Sequence, residues 1–493
     1  MKIGFWLAVV IGLCTVAIGR IHAAEKLNVL FIAVDDLRPE FGAYGKTYIH
    51  SPNLDRLARR GVTFQRAYCQ QAVCSPSRSS LLTGTRPDTT KVWDLETHFR
   101  KALPDVVTLP QHFKQHGYFV QGMGKLFHGG FDDKPSWSVP WQAPKTPHGA
   151  YGLGENQAIV KAKAAASKDA PKKGPGRVRN YGPPVESSDV PDNTFHDGAL
   201  ADLAVSTLGE LAKQDQPFWF GVGFIRPHLP FVAPKKYWDL YDLAKIELAP
   251  NPYPPKDAPP YALASGGELR TYHGVPQGPI PEDFARQLKH GYYAAISYMD
   301  AQVGRLLDEL DRLGIADNTV VVLWGDHGWK LGEHGSWCKH SNVENDTNAP
   351  LLIAVPGLKT AGQRTAALAE FVDIYPTLAD VCGLPLPSHL QGTSLKPVLQ
   401  DTSASVKNAA LSQYPRADSG RQLMGYSMRT DRYRFTRWVD RRDHTKLEAV
   451  ELYDHQNDPQ ENVNIAADPR NAALLADLTS QWYTNWRETP PAK

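Results

Sequence analysis

Leu-Asn-Val-Leu-Phe-Ile-Ala-Val occupies residues 27–34 and runs straight into Asp35 and Asp36. A nearly unbroken apolar run of this kind reads as a strand buried on both faces of a sheet. Residues 319–324 (TVVVLW) repeat the pattern and end at Asp326 and His327. Residues 218–224 (FWFGVGF) do so again and run into Arg226 and His228, while a shorter stretch near Phe119 runs into Lys125 and His128. Residues 351–355 supply a further strand. Amphipathic stretches lie between these runs, at 53–60, 108–116, 197–212 and 291–313. Strands alternating with helices predict an α/β fold, a mostly parallel or mixed sheet covered on both faces. Ligands in such folds bind beyond the carboxyl ends of the strands. The polar residues just named all follow such ends.

After Leu395 the pattern changes. Residues 424–439 predict a hairpin turning at Thr430 and Asp431, residues 451–454 begin a short strand, and 472–486 form a terminal helix. The expected division is a leader at 1–24, a large domain at 25–395 and a smaller antiparallel-sheet subdomain at 396–493. Two stretches interrupt the large domain. Residues 145–190 are rich in Lys, Ala, Gly and Pro and read as a long surface insertion near the mouth of the site. Residues 251–281 form a second Pro/Gly-rich excursion.

Residues 1–24 carry Lys2, an apolar core and the small residues Ala23 and Ala24, which reads as a secretory signal. The cleavage motif departs from A-x-A, so an uncleaved anchor is the alternative. The expected location is secreted or periplasmic. No later segment is apolar enough for a membrane span. The formal net charge is +2, and the leader holds Lys2, Arg20 and no acid, so the mature chain is neutral. No global field recruits nucleic acid or a membrane surface. The five cysteines do not make a disulfide scaffold. Cys14 leaves with the leader, and Cys69, Cys338 and Cys382 read as small core residues.

The fifth cysteine lies in the run 71–84, QAVCSPSRSSLLTG, which reads C-x-P-S-R-x-x-x-L-T-G from Cys74. Pro76 suits the first turn of a helix. Cys74 is then expected at a helix N-terminus, where unpaired N–H groups favour a divalent anion such as sulfate. Arg78, one turn on, can aim a planar fork at anionic oxygens. The pairs Asp35-Asp36 and Asp326-His327 gather hard donors. Adjacent carboxylates repel unless a cation sits between them. A donor set without thiolate favours calcium or magnesium over zinc.

These motifs resemble those of the type I sulfatases of the alkaline phosphatase superfamily, and among them the iduronate-2-sulfatases. The resemblance also rests on LLTGTRPDTT, GYFVQGMGKLFH, GFIRPHLPFVAP, WGDHGWKLGEHGSW and the stretch from Cys338 to Asn342, and it covers most of residues 27–400. It implies an alkaline-phosphatase-like sandwich. It implies that Cys74 is oxidised to Cα-formylglycine by a formylglycine-generating enzyme. Asp35, Asp36, Asp326 and His327, with modified Cys74, fall on the family's metal site, whose metal is usually Ca²⁺. Arg78 and Lys125 fall where the family steadies the formylglycine and the sulfate. His128 falls on the residue handling the hydroxyl of the hydrated aldehyde, and His228 and Lys339 on residues contacting the sulfate and its ester oxygen.

The implied activity is removal of O-sulfate from a sulfated saccharide, with a 2-O-sulfated uronate or an algal glycan as substrate. A phosphonate or phosphate monoester hydrolase of the same superfamily is the alternative. Arg78, Lys91, Lys125, Arg226, Lys330 and Lys339 are expected to form a cationic mouth for an acidic sugar. Trp329 and the loop 91–94 are candidates for lining a sugar pocket or for packing. His334, near the second metal motif, receives no role.

Overall fold

The computed structural model describes residues 26–146, 149–166, 181–263 and 267–486. The predicted signal peptide and part of the 145–190 insertion lie outside the described residues. The strands are β1 (Asn28–Val34), β2 (Val62–Tyr68), β3 (Phe119–Gly124), β4 (Val185–Ser188), β5 (Phe218–Phe224), β6 (Phe231–Pro234), β7 (Thr319–Gly325), β8 (Leu351–Ala354) and β9 (Arg364–Glu370). Seven of them form the central sheet, in the order β3-β5-β1-β7-β8-β2-β9. β3, β5, β1 and β7 run parallel, and only β8 is reversed.

The central position of β1 explains its composition. All seven of its residues are buried. Leu30, Ile32 and Val34 join the core on one face, and Val29, Phe31 and Ala33 the core on the other. Alternating side chains thus reach two apolar layers, which is why the run reads as continuously hydrophobic. The 31-residue helix Glu282–Arg312 covers one face with the helix His196–Leu211, and the helices Cys74–Thr83 and Ile374–Val381 lie on the other.

The C-terminal part is a four-stranded antiparallel sheet, β10 (Ala410–Asp418), β11 (Arg421–Arg429), β12 (Tyr433–Asp440) and β13 (Asp443–Asp454), with the predicted turn at Thr430 and Asp431. The helix Ala472–Trp486 packs Leu478, Trp482 and Trp486 against Met424, Tyr426, Met428 and Phe435. The mixed sheet flanked by helices, with this smaller antiparallel sheet, is the alkaline-phosphatase-like architecture the motifs imply.

The insertion at 145–190 carries secondary structure of its own, since Gly154–Ala166 is helical and β4 pairs in parallel with β6. The buried Glu186 holds this segment together by accepting from the Gly152 backbone and from Asn156 at 2.6 and 2.7 Å. The helix predicted from 291 begins nine residues earlier, at Glu282, directly after Pro281. Proline fixes the entry and Glu282 and Asp283 favour the first turn, so the chain turns helical before its apolar periodicity becomes evident.

Candidate active site

Four parallel strands deliver their polar ends to one place. Asp35 and Asp36 follow β1, Lys125 follows β3, His228 follows β5, and Asp326 and His327 follow β7. The helix Cys74–Thr83 points its N-terminus at them, and all ten of its residues are buried. Val73, its N-cap, offers no side-chain acceptor. The first-turn N–H groups therefore keep capacity for an anion beside Cys74.

The carboxylates and cations interlock. Arg78 is wholly buried and donates through Nε to Asp326 Oδ2 at 2.9 Å and through Nη2 to Asp35 Oδ1 at 3.2 Å. It also donates to the carbonyls of Lys125 and Leu126. The Lys125 ammonium pairs with Asp35 and lies 3.8 Å from Cys74 Sγ. Lys339 reaches both oxygens of Asp36 at 3.0 Å and Glu268 at 2.9 Å.

The ligand atoms of Asp35, Asp36, Cys74 and His327 all lie within 4.8 Å of one another. Asp326 stands at the edge of this group, 3.6 Å from His327 Nε2, with Oδ1 accepting from the Asp36 N–H at 3.0 Å. The imidazole is oriented for ligation. His327 Nδ1 lies 2.9 Å from the Gly328 carbonyl, which can only accept, so Nδ1 carries the proton. Nε2 then turns its lone pair to Asp36 Oδ1 and Cys74 Sγ, each 3.4 Å away. A backbone carbonyl commonly fixes the tautomer of a metal-binding histidine in this way. Oxygen donors and one imidazole fit a hard divalent cation.

The electrostatics agree. Burial pushes the Asp36 carboxyl up to about 7, against the pull of Lys339. Burial also raises Asp35, yet the Lys125 ammonium and the Arg78 guanidinium hold it well below the usual carboxylate range. Asp35, Asp36, Asp326 and Glu268 set four carboxylates against the three permanent cations Arg78, Lys125 and Lys339. With all four ionised, as a bound cation would favour, one unit of negative charge is left over, which a divalent ion would reverse to a net positive charge suited to a sulfate ester.

Burial, then the nearby Asp35, raises the Cys74 thiol well above its ordinary value. As encoded, Cys74 is a protonated thiol and a weak nucleophile. Burial and Lys125 push His128 down to about 3, and its buried Nδ1 meets no partner. It is a neutral base at physiological pH. Burial also pushes His228 down to about 4, although Glu268 pulls the other way. Its Nδ1 donates to the Leu229 carbonyl at 2.6 Å, so Nε2 faces Glu268 and Asp36 at 3.4 and 3.9 Å. Asp197 fixes the loop before it by accepting from the N–H groups of Ile225 and Arg226 at 3.0 and 2.7 Å.

Asp35, Asp36, Cys74, Arg78, Lys125, His228, Asp326, His327 and Lys339 thus converge on one cluster, and His128 stands close enough to feel the charges of Lys125, Asp35 and Arg78. The wider cationic mouth is not as expected. Lys330 is buried and its ammonium pairs with Asp346 and bonds Ser341, so it points into the fold rather than the pocket. Lys91 is exposed and lies over the Trp93 ring at 5.5 Å. Trp329 is fully buried, with Lys339 over its ring at 4.8 Å, and so serves packing. His334 is buried away from the cluster, its backbone N–H on the Asn251 carbonyl. Glu268 is the residue the sequence did not reveal. It sits in the short turn Glu268–Thr271 inside the Pro/Gly-rich excursion, where no motif marks it.

This strand-end constellation on this fold is that of a sulfuric ester hydrolase, and the chain belongs to the sulfatase family. The family model described as "Sulfatase" matches residues 27–384, and one described as "N-sulphoglucosamine sulphohydrolase, C-terminal" matches residues 332–487. Within the family the chain is similar to iduronate 2-sulfatase. It is 36% identical to that of Mus musculus over 92% of this chain and 94% of the relative, and 35% identical to that of Homo sapiens over 95% and 97%. Among solved structures, the phosphonate monoester hydrolase of Silicibacter pomeroyi superposes with a TM-score of 0.73 at 22% identity, covering 94% of this chain and 95% of that one. A 2-O GAG sulfatase superposes with a TM-score of 0.68 at 24% identity, covering 94% and 93%. At these identities the structures speak for the fold alone.

Proposed function

We propose that the protein removes O-sulfate from a sulfated saccharide in the manner of an iduronate-2-sulfatase, using formylglycine at position 74. The observation that carries this reading is the placement of Cys74, buried at a helix N-terminus between Lys125 and His327 and beside Asp35 and Asp36. The residue has every supporting group and lacks only a reactive form. Oxidation of its side chain to an aldehyde by a maturation enzyme supplies that form. Asp35, Asp36, Asp326 and His327 would hold one Ca²⁺, which when bound withdraws electron density from the oxygens it touches.

The hydrated aldehyde at position 74 carries two hydroxyls. One would give its proton to water and attack the sulfur of the ester, as the S–O bond to the sugar breaks. The sugar alkoxide is a poor leaving group and takes a proton from His228 Nε2. His228 is neutral in the resting site with its proton on Nδ1, and the arriving sulfate monoanion raises its proton affinity, so Nε2 takes up a proton from water before passing it to the sugar oxygen. His128 then removes the proton of the second hydroxyl. The carbonyl re-forms as the carbon–oxygen bond to sulfate breaks, and water rehydrates the aldehyde. A serine or a thiol has no second hydroxyl and would stall as the sulfated enzyme. Arg78, Lys125 and Lys339 offset charge on the sulfuryl oxygens.

The same reading assigns residues 25–395 to catalysis, 396–493 to a C-terminal subdomain and 1–24 to export, with the mature enzyme secreted or periplasmic. No helix among the described residues is long and apolar enough to cross a membrane. The preferred substrate is a 2-O-sulfated uronate, as in heparan or dermatan sulfate, on the strength of the identity to iduronate 2-sulfatases.

Released sulfate from a panel of sulfated saccharides, beside mass spectrometry of the tryptic peptide carrying residue 74, tests the reading. We expect sulfate release with the peptide at the aldehyde mass. Full activity with only the thiol present would overturn the nucleophile. Release from a simple alkyl sulfate but from no glycan would overturn the substrate class.

A further inference from the structure

A second cleft, of about 770 Å³, opens between the loop after β1, the segment 240–251, the helix Glu282–Arg312 and Pro459-Gln460 of the C-terminal part. None of Asp35, Asp36, Cys74, Lys125, His228, Asp326, His327 or Lys339 lines it. Its size is that of a ligand site rather than a packing defect.

The wall is aromatic. The rings of Tyr48 and Tyr241 each lie 5.6 Å from that of Tyr293, and His50 stands 5.2 Å from Tyr241. Tyr48 is 48% exposed at the rim. Polar groups in the lining lack partners. Asn251 is 1% exposed, its Nδ2 donates to Asn462, and its buried Oδ1 meets no donor. The buried Oδ1 of Asn348 is likewise unpartnered. Lys289 is 6% exposed, and its ammonium donates to the Glu247 carbonyl and pairs with no carboxylate among the described residues. Buried polar groups left this way are costly unless a ligand or water meets them.

The charges indicate the ligand. Arg38 is held by Glu40 and Glu333, and Lys245 by Asp242. Lys46, Lys289, Glu247 and Glu344 complete the charged lining, and Glu344 is itself paired with Arg434 outside the cleft, so five carboxylates stand against four cations and the lining carries no cationic excess. A polyanion gains little from such a surface. A hydroxyl-rich ring does gain, because its O–H groups can accept from Lys289 while its C–H face lies on the tyrosine wall.

We infer that this cleft is a second saccharide site, which holds a stretch of glycan by its hydroxyls and ring faces whether or not that stretch is sulfated. The inference takes its ligand class from the saccharide-sulfatase reading. In the intact enzyme it anchors a chain whose sulfates are removed at Cys74.

The test is calorimetric titration of the full chain, carrying Cys74→Ala, with fully desulfated tetrasaccharides prepared from heparin, dermatan sulfate and an algal sulfated galactan. One of them is expected to bind at one site per chain, with affinity falling at least fivefold in Tyr48→Ala and in Lys289→Gln. Thermal melting confirms that both variants fold, and Tyr48→Ala is expected to retain full turnover of a small aryl sulfate. Absence of binding by all three probes, or equal binding by the native cleft and both variants, overturns the proposal. Tyr48-dependent binding without sulfate release from any glycan would leave the cleft standing and sink the catalytic reading. Sulfate release without such binding does the reverse.

Discussion

Replacing Arg78 with alanine tests whether the site is the buried charge cluster described. The guanidinium is wholly buried and bonded to Asp326 at 2.9 Å and Asp35 at 3.2 Å. Removing one partner from a buried ion pair costs about 3–5 kcal/mol, because the other charge is left uncompensated. Unfolding entropy scales with length, and for a chain of 493 residues it is about 1 kcal/mol/K near the melting temperature. In chelator, Arg78→Ala should therefore melt about 3–5 °C below the native protein. The excess negative charge of the cluster rises from one unit to two, so calcium should stabilise the variant more than it stabilises the native chain. With calcium bound, the native site keeps a positive charge and the variant does not, so inhibition by free sulfate should weaken. Differential scanning fluorimetry in chelator and in calcium, with sulfate inhibition of aryl sulfate turnover, measures all three. If the variant melts with the native protein in chelator, or gains no more from calcium, Asp35 and Asp326 are not held as buried anions and the charge argument fails.

Other outcomes follow from the same geometry. His228→Ala should slow a sugar sulfate about 10²–10⁴-fold and an aryl sulfate far less, since a phenoxide leaves without a proton; equal losses would remove the proton-donor role. Glu268→Gln takes one negative charge from beside Lys339 and His228, so free sulfate should inhibit at least about tenfold more tightly, since charges about 4 Å apart near a protein surface interact by a few kcal/mol; weaker inhibition would contradict the placement of Glu268 at the anion pocket. His112, away from the site, is pushed down to about 4 by burial and the neighbouring His116. The unfolded chain binds the extra proton first, so between about pH 6.5 and 4 stability falls as pH falls. His112→Gln should flatten that slope in acid melts, and an unchanged slope would exclude His112 as its source.

The sheet was legible because β1, β5 and β7 are buried on both faces, and a strand in that position must be apolar at every residue. The site was legible for a related reason. Asp35-Asp36 and Asp326-His327 interrupt such runs at the ends where the fold collects ligands, so their polarity stands out. What escaped had no contrast of that kind. Glu268 is one carboxylate in a Pro/Gly-rich excursion, and only the folded chain brings it 2.9 Å from Lys339, far away in sequence. Lys330 failed in the opposite sense. It lies within the same motif as His327, yet its ammonium turns away to Asp346, a direction that motif membership cannot encode.

The arrangement around Cys74 bears directly on the proposal that this residue acts in an oxidised form. A catalytic thiolate needs a cation or helix dipole that outweighs its desolvation. Here Lys125 and Lys339 favour the thiolate, but burial and the adjacent Asp35 outweigh them, and the thiol keeps its proton. The cations are already committed, Lys125 to Asp35 and Lys339 to Asp36 and Glu268. Strengthening them would mean removing carboxylates that fit a divalent ion. A site that must hold both a hard cation and a sulfate anion therefore has no spare charge with which to make a thiolate. A neutral group that becomes nucleophilic by hydration escapes the conflict, because its hydroxyls need no charge until a base such as His128, neutral in this pocket, takes the proton. On this reasoning the oxidised side chain proposed for position 74 suits the electrostatics of the pocket as well as the need for a second hydroxyl.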